Sequence, residues 1–166
     1  MNSEFQSILA KANVTYQIGD ATAPQGKGNK VIAHIVNDLG LWGSGFVMAV
    51  SGRWPFVKDE YVKWARGNKQ PFQLGQVQFV PVTEDITIAN MVGQRGVVNE
   101  DNPKPLNEYW LRWALMRLND YAIENKATVH MPRIGCGLAG GKWEEVEPLI
   151  KTYLQVDVTV YDLETK

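Results

Sequence analysis

The chain has 166 residues, 45% of them hydrophobic and 21% charged, the ordinary balance of one domain large enough to bury a core. Its 17 basic and 18 acidic side chains leave a net charge of −1, which excludes affinity built mainly on neutralising a nucleic-acid backbone. The one cysteine, Cys136, can form no internal disulfide, so the composition asks for no oxidising compartment.

In chain order, the opening MNSEFQSILAKANVTYQ is amphipathic, carries Glu4 and lacks the apolar core of a signal peptide. No stretch reaches transmembrane length. The expectation is a soluble, cytoplasmic protein with no membrane partner. Short β-branched runs predict strands at 14–18, 31–36, 77–82, 86–92, 128–131 and 158–161. Amphipathic runs predict helices at 44–51, 57–66, 106–124 and 142–154. In the third helix Leu106, Trp110, Trp113, Ala114, Leu118 and Tyr121 fall at helical spacing. Pro105 suits its first turn, Asn102 and Asn107 offer caps, and Asn125 with Lys126 reads as its stop. Strand and helix taking turns imply an α/β domain, with a largely parallel sheet covered on both faces. Thr83–Asp85 reads as a hairpin turn, so the sheet is expected to be mixed. The longest loop, 93–104, is polar and is expected to be mobile.

Two strand-to-helix loops are rich in glycine. NDLGLWGSGFVMAV carries Gly40, Gly43 and Gly45, and RIGCGLAGGK carries Gly135, Gly137, Gly140 and Gly141. Ligands of open α/β sheets bind beyond the carboxyl ends of strands, where such loops lie. Glycine lets the backbone approach a ligand closely, and N–H groups backed by a helix N-terminus favour anionic oxygen. Two such cradles suit a diphosphate better than a single phosphate. The bland alternative is that the glycines serve only tight turns and close packing.

Known phosphate motifs fit the second loop badly. Gly135-x-Gly137-x-x-Gly140 matches the dinucleotide fingerprint, with Asp162 at a suitable distance, but that fingerprint belongs to a first βαβ unit and here the chain ends four residues later. A P-loop fails because Cys136 stands at its first glycine and Trp143 replaces the Mg²⁺-binding hydroxyl. Cys136-x5-Lys142 imitates the Cys-x5-Arg loop of cysteine phosphatases, yet lysine lacks the planar fork of arginine. Cys136 as a nucleophile is therefore the remote alternative to Cys136 as a small packing residue.

Taken together, Gly19-Asp20, IAHIVNDLGLWGSGFVMAV, VHMPRIGCGLAGGKWEEVEPLI and VTVYDL resemble the macro domain family over about 14–163. The wording H-x-V-N-D-x-G-x-W-G-x-G and the block P-R-I-G resemble the branch that holds a chromatin-remodeller module, the terminal ADP-ribose protein glycohydrolase and the yeast ADP-ribose-1″-phosphate phosphatase. The resemblance implies a three-layer α/β/α fold with a mixed central sheet, here one domain over 1–166, binding ADP-ribose or an ADP-ribosylated substrate as a monomer. It implies that Asp20, with Ala21 beside it, meets the adenine amino group and that Tyr161 flanks the ring. Gly43, Ser44, Gly45 and Phe46 would line one side of the diphosphate and distal ribose. Gly135, Cys136, Gly137 and Leu138 would supply N–H groups from the other, with Trp42 near the ligand and Asn37 at the distal ribose hydroxyls. His34 and His130 read as satisfied structural histidines, and the tryptophans other than Trp42 as mostly core. No His, Cys or carboxylate cluster has metal spacing, so neither metal nor cofactor is expected.

The branch contains hydrolases and pure binders. The glycohydrolase uses a lysine before the long loop and an aspartate in the second glycine loop. Here Gln94 or Gly93 takes the first position and Ala139 the second. Glutamine forms no Schiff base and alanine moves no proton, so that covalent route is closed. A hydrolase of ADP-ribosyl derivatives would then rest on Asn37 to position the ribose and Asp38 to orient or deprotonate water, with Ser44 and Gln94 nearby. The alternative is a binding module that reads ADP-ribose without chemistry.

Overall fold

The computed structural model describes residues 11–67 and 69–164. The amphipathic N-terminal stretch lies, as far as residue 10, outside the described residues. Six strands form one sheet: β1 Val14–Ile18, β2 Asn29–Asn37, β3 Val77–Pro81, β4 Ile86–Gln94, β5 Ala127–Met131 and β6 Val158–Asp162. Their order is β1-β6-β5-β2-β4-β3, parallel throughout except for the antiparallel β3–β4 pair. That pair is the expected hairpin, and the Thr83 hydroxyl accepts from the Ile86 N–H at 3.0 Å within its turn.

Alternation along the strands sends side chains to two separate cores. On one face Ile32, Val36, Ile88 and Val92 meet α1 Phe46–Arg53 and α2 Phe56–Arg66 through Val47, Val50, Val57 and Tyr61. On the other, Ala33, Met91, Val129 and Val160 meet α3 Glu108–Glu124 and α4 Trp143–Tyr153 through Leu111, Leu115, Leu118, Val146 and Ile150. The protein is thus a three-layer α/β/α domain with a mixed sheet. No described helix is long and apolar enough to cross a membrane.

Several boundaries differ from the sequence pattern. α1 starts at Phe46 rather than Ser44, because Gly45 sits at φ 79 outside the helical region and acts as its N-cap. α3 starts at Glu108, where the Asn107 side chain accepts from the Trp110 N–H at 3.0 Å. Pro105 and Asn102 therefore lie before the helix. Leu106 instead forms a bridge to Gln94 and donates its N–H to Ala139 O at 3.0 Å. The buried stripe of α3 runs through Leu111, Ala114, Leu115, Leu118 and Ala122. Trp113, expected in that stripe, is exposed, and of the six tryptophans only Trp42 and Trp64 are buried. The loop after β4 is laced rather than open: Asn102 donates to the carbonyls of Arg95 and Val97, and Asn99 and Asn102 exchange backbone bonds.

Candidate functional site

β2 and β5 are parallel neighbours whose connections part company. The chain leaving β2 runs through α1 and α2 to β3 at one edge, while the chain leaving β5 runs through α4 to β6 on the other side. Adjacent strands that send their connections opposite ways open a crevice at their carboxyl ends. A cleft occupies that place, with His34 and Ile35 at its floor, Ser44 to Val47 on one wall, and Ile134, Gly135, Gly137 and Leu138 on the other. The two glycine loops face each other across it: a Cβ built on Gly45 would lie 3.9 Å from Leu138 Cδ1. A second lobe shares Ile35, Ser44, Val47, Gln94 and Leu138 with the first, and continues past Asn37, Leu41, Trp42, Val97 and Val98.

The first wall is held by Asn37. Its Oδ1 accepts from the N–H groups of Leu39 and Leu41 at 3.0 and 3.1 Å, and its Nδ2 donates to Leu41 O at 2.7 Å. The Tyr61 hydroxyl donates to the Asn37 carbonyl at 2.6 Å, and burial, the main cause, pushes that phenol well above its usual pKa, so it stays a donor. α1 has Gly45 as its N-cap and no side-chain cap, and this uncapped start, Gly45 to Val47, lines the cleft.

The second wall rests on Leu106. A Cβ on Gly141 would collide with Leu106 Cδ2 and lie 2.6 Å from Gly135 O, and the Gly141 N–H closes the loop on Gly135 O at 2.7 Å. Gly135, at φ 75, is likewise pressed on Leu106. Gly137 is different: its φ is not positive and a Cβ there meets nothing within 4 Å, while the residue lines the cleft. The glycines of this loop thus divide between packing and open space.

Under the floor a polar relay crosses the sheet. Gln78 Nε2 donates to the Glu60 carbonyl at 2.9 Å, which can only accept, so Gln78 Oε1 accepts from Asn90 Nδ2 at 3.0 Å. Asn90 Oδ1 must then accept from His34 Nε2–H. This settles the tautomer: Nδ1 of His34 is a bare acceptor, buried and without a partner. Burial, the larger cause, pulls the His34 pKa down to about 4 against the opposing Asn90 hydrogen bond, so the ring is neutral near pH 7.

The expected site residues separate into three groups. Ser44, Gly45, Phe46, Gln94, Gly137 and Leu138 line the cleft, with Gly43, Asn37 and Trp42 in its second lobe and Gly135 at the base of the second loop. Asp20, Ala21 and Tyr161 sit at the same end of the sheet but beside the cleft. Asp20 Oδ1 accepts from the Thr22 N–H and hydroxyl at 2.8 and 2.7 Å, and Ala21 is buried. Tyr161 is also buried, and its hydroxyl accepts from the Gln25 N–H at 2.9 Å and meets His130 Nδ1 at 2.9 Å. The third group is turned away. Asp38 Oδ1 accepts from the Gly96 N–H at 2.8 Å, and the residue opens on a separate cavity with Phe72, Leu74 and Arg95. Its role as a base toward the cleft is therefore corrected: that carboxylate pins one loop to another. Cys136 is corrected too. Its N–H turns back to Arg133 O at 3.4 Å, its thiol donates to Ile134 O, and burial, the main cause, pushes the thiol up, away from the thiolate a nucleophile needs.

Sequence reasoning passed over two contributors. Leu106 looked like helix and is the support of the second loop. Arg133, in the P-R-I-G block, lines the cleft and forms a two-point pair with Asp162 at 2.7 and 2.9 Å, its guanidinium 5.3 and 5.4 Å from the ring centres of Tyr16 and Trp143. That pair holds the Asp162 carboxyl below its usual range. Among the described residues no three His, Cys, Asp or Glu side chains gather as a metal cage.

No protein-family model matches the chain. A solved macrodomain protein from Streptomyces coelicolor is 49% identical, with a TM-score of 0.80, over 90% of this chain and 99% of that one. A protein of unknown function from Bacteroides thetaiotaomicron is 46% identical, with a TM-score of 0.86, over 91% and 98%. Among curated proteins, the chromodomain-helicase-DNA-binding protein 1-like of Danio rerio is 30% identical over 152 residues, 85% of this chain but only 14% of its own length. The ADP-ribose 1″-phosphate phosphatase of Lodderomyces elongisporus is 26% identical over 158 residues, 89% of this chain and 97% of its own. The fold and its crevice define an α/β/α domain with two glycine loops at a topological switch point. The chain belongs to the macro domain family.

Proposed function

We propose that the protein binds ADP-ribose as a single macro domain over residues 14–163. The diphosphate lies between the loop at 43–46 and the N–H groups of Gly137 and Leu138. The adenine points toward Asp20, Ala21 and Tyr161, and the terminal ribose enters the second lobe beside Asn37, Trp42, Ser44 and Gln94. The observation that carries this reading is the opposition of the two loops across one cleft, with the uncapped start of α1 behind the first. Hydrogen bonds from backbone N–H groups to charged oxygen contribute roughly 1.5–3 kcal/mol each. Titration calorimetry with ADP-ribose tests it, and no heat with the wild-type chain would sink it. Gly137→Val sharpens the test, because a Cβ at this position meets nothing within 4 Å in the unliganded protein. The variant is expected to melt within a degree or so of wild type, a change of a few tenths of a kcal/mol, and to lose ADP-ribose binding.

A second reading, hydrolysis at the terminal ribose, is supported by the lobe that continues beyond the diphosphate and by the Lodderomyces relative named as an ADP-ribose 1″-phosphate phosphatase. Among the described residues no carboxylate lines either lobe, so turnover would rest on Ser44 and Gln94 orienting water rather than on a side-chain base. Incubation with O-acyl-ADP-ribose and ADP-ribosylated protein separates the readings. Release of ADP-ribose that falls in Gln94→Ala marks a hydrolase, and binding without release marks a reader.

A further inference from the structure

The helix α3 carries apolar side chains on two opposite faces. One face is the buried stripe of Leu111, Ala114, Leu115, Leu118 and Ala122. On the other, Tyr109, Trp113, Met116 and Ile123 are 57%, 41%, 41% and 49% exposed. At 3.6 residues per turn these four fall within roughly 80° of one another, so they form one stripe rather than scattered single residues. The outer face of a surface helix is ordinarily polar, and Tyr, Trp and Met are enriched where proteins meet. Arg112 borders this stripe, Asp120 lies within it, and both are exposed. Eight positions separate them, about 12 Å along the axis, which is too far for them to pair within one chain. Among the described residues neither has an ion-pair partner, whereas Glu108 is paired with Lys104 at 2.7 Å and Arg117 donates to the Gly75 carbonyl at 2.9 Å.

We infer that the outer face of α3 is an interface between two copies of this chain, packed antiparallel about a two-fold axis beside Met116. Antiparallel helices oppose positions equidistant from that axis, so Met116 meets its own counterpart and Tyr109 faces Ile123 of the second copy. Arg112 then faces Asp120 of the second copy, and the reverse contact completes the set, as an isologous interface requires. Parallel packing would set Arg112 against Arg112 and Asp120 against Asp120, so the charges choose the direction. Each helix N-terminus also comes to lie beside a C-terminus of opposite partial charge. α3 starts just after Leu106, which bridges Gln94 at the carboxyl end of β4. The two clefts therefore open at opposite ends of the pair and stay accessible. One helix face about 25 Å long fits a weak, concentration-dependent pair rather than a permanent one. The family resemblance implies a monomer, and α3 departs from it. The inference does not depend on the binding mode proposed above.

Sedimentation velocity over a concentration series from about 5 to 500 µM tests it. The wild-type mass is expected to rise from the 18.7 kDa of one chain toward twice that value. Met116→Glu sets two carboxylates against each other at the axis, and Arg112→Glu and Asp120→Arg each oppose like charges. Each is expected to weaken association about tenfold or more. The double variant Arg112→Glu/Asp120→Arg exchanges the charges and is expected to regain most of the wild-type association. All three side chains are exposed, so the circular dichroism and melting temperature of the dilute variants are expected to match wild type. A wild type that stays at the mass of one chain throughout the series overturns the inference. So does association that Met116→Glu leaves intact, or a charge exchange that rescues nothing.

Discussion

His34 shows how much one side chain can owe to partners far from it. It is 1% exposed, and its rotamer is boxed by the rings of Trp42 and Phe46 at 5.6 and 5.5 Å. The direction of its hydrogen bond is set three groups away, by a helix carbonyl that cannot donate. Nitrogen-15 NMR of the imidazole is therefore expected to show a protonated Nε2 and a bare Nδ1 at neutral pH. A protonated Nδ1 would reverse the relay. Asn90→Leu removes the acceptor and leaves Nε2–H buried without a partner, at a cost of roughly 1–3 kcal/mol read from denaturant unfolding. The sequence reads His34 as a satisfied structural histidine; it is a buried strand histidine, but only its Nε2 is satisfied, Nδ1 having no partner. The sequence could not show the relay, because Glu60, Gln78 and Asn90 sit on α2, β3 and β4 and meet only once the sheet is assembled.

At the level of elements, period was easier to read than punctuation. β1 matches its expected bounds, the β3–β4 hairpin was legible from Thr83–Asp85, and both glycine loops were visible as candidates. The starts of α1 and α3 were not. Ser44 has the chemistry of a cap, but Gly45 takes that position. Leu106 fits the apolar period of α3, yet an isolated leucine reads the same in a helix and in a bridge. Asp38 was misread for a related reason. β2 pairs Val36 with Val92 and then Asn37 with Gln94, so Gly93 is an extra residue in β4. Bulges re-aim the side chains around them and are over-represented next to active sites. Here the bulge accompanies Gln94 facing the cleft while Asp38 bonds the loop beyond it, and register of that kind needs the partner strand to be seen. The cap of α3 gives this scale its test. Asn107→Ala removes the acceptor of the Trp110 N–H and is expected to cost about 1 kcal/mol of unfolding free energy. An unchanged denaturation midpoint would mean that the helix start is held by packing alone.

Across the whole molecule, the two histidines couple stability to pH. His34 lies beneath the cleft and His130 on the same face of the sheet, one strand over and against Tyr161, and both are nearly fully buried. Burial, the first cause in each, lowers both to about 4, helped at His130 by the charge of Lys30. A histidine whose folded pKa lies below its unfolded value near 6.5 binds a proton more readily when unfolded. The stability it contributes is complete above pH 6.5 and drains away as pH falls toward 4. A displacement of this size corresponds to roughly 3 kcal/mol for His34 at the lower limit, a large share of a domain's usual margin. The carboxylates act in a different window. Asp162, held down by the Arg133 hydrogen bonds, and Asp85, held down first by the Thr83 hydroxyl, begin to lose their contribution only as pH falls through 3.8. Melting temperature measured from pH 8 to 3.5 is therefore expected to be level down to about 6.5, to fall steadily to 4, and only then to feel the acids. His130→Phe should flatten the middle segment without moving its upper edge, since His34 still titrates there. A curve level from 6.5 to 4.5 in the wild type would show that neither imidazole is held neutral by the fold, and with that the bare Nδ1 beneath the cleft would lose its physical basis.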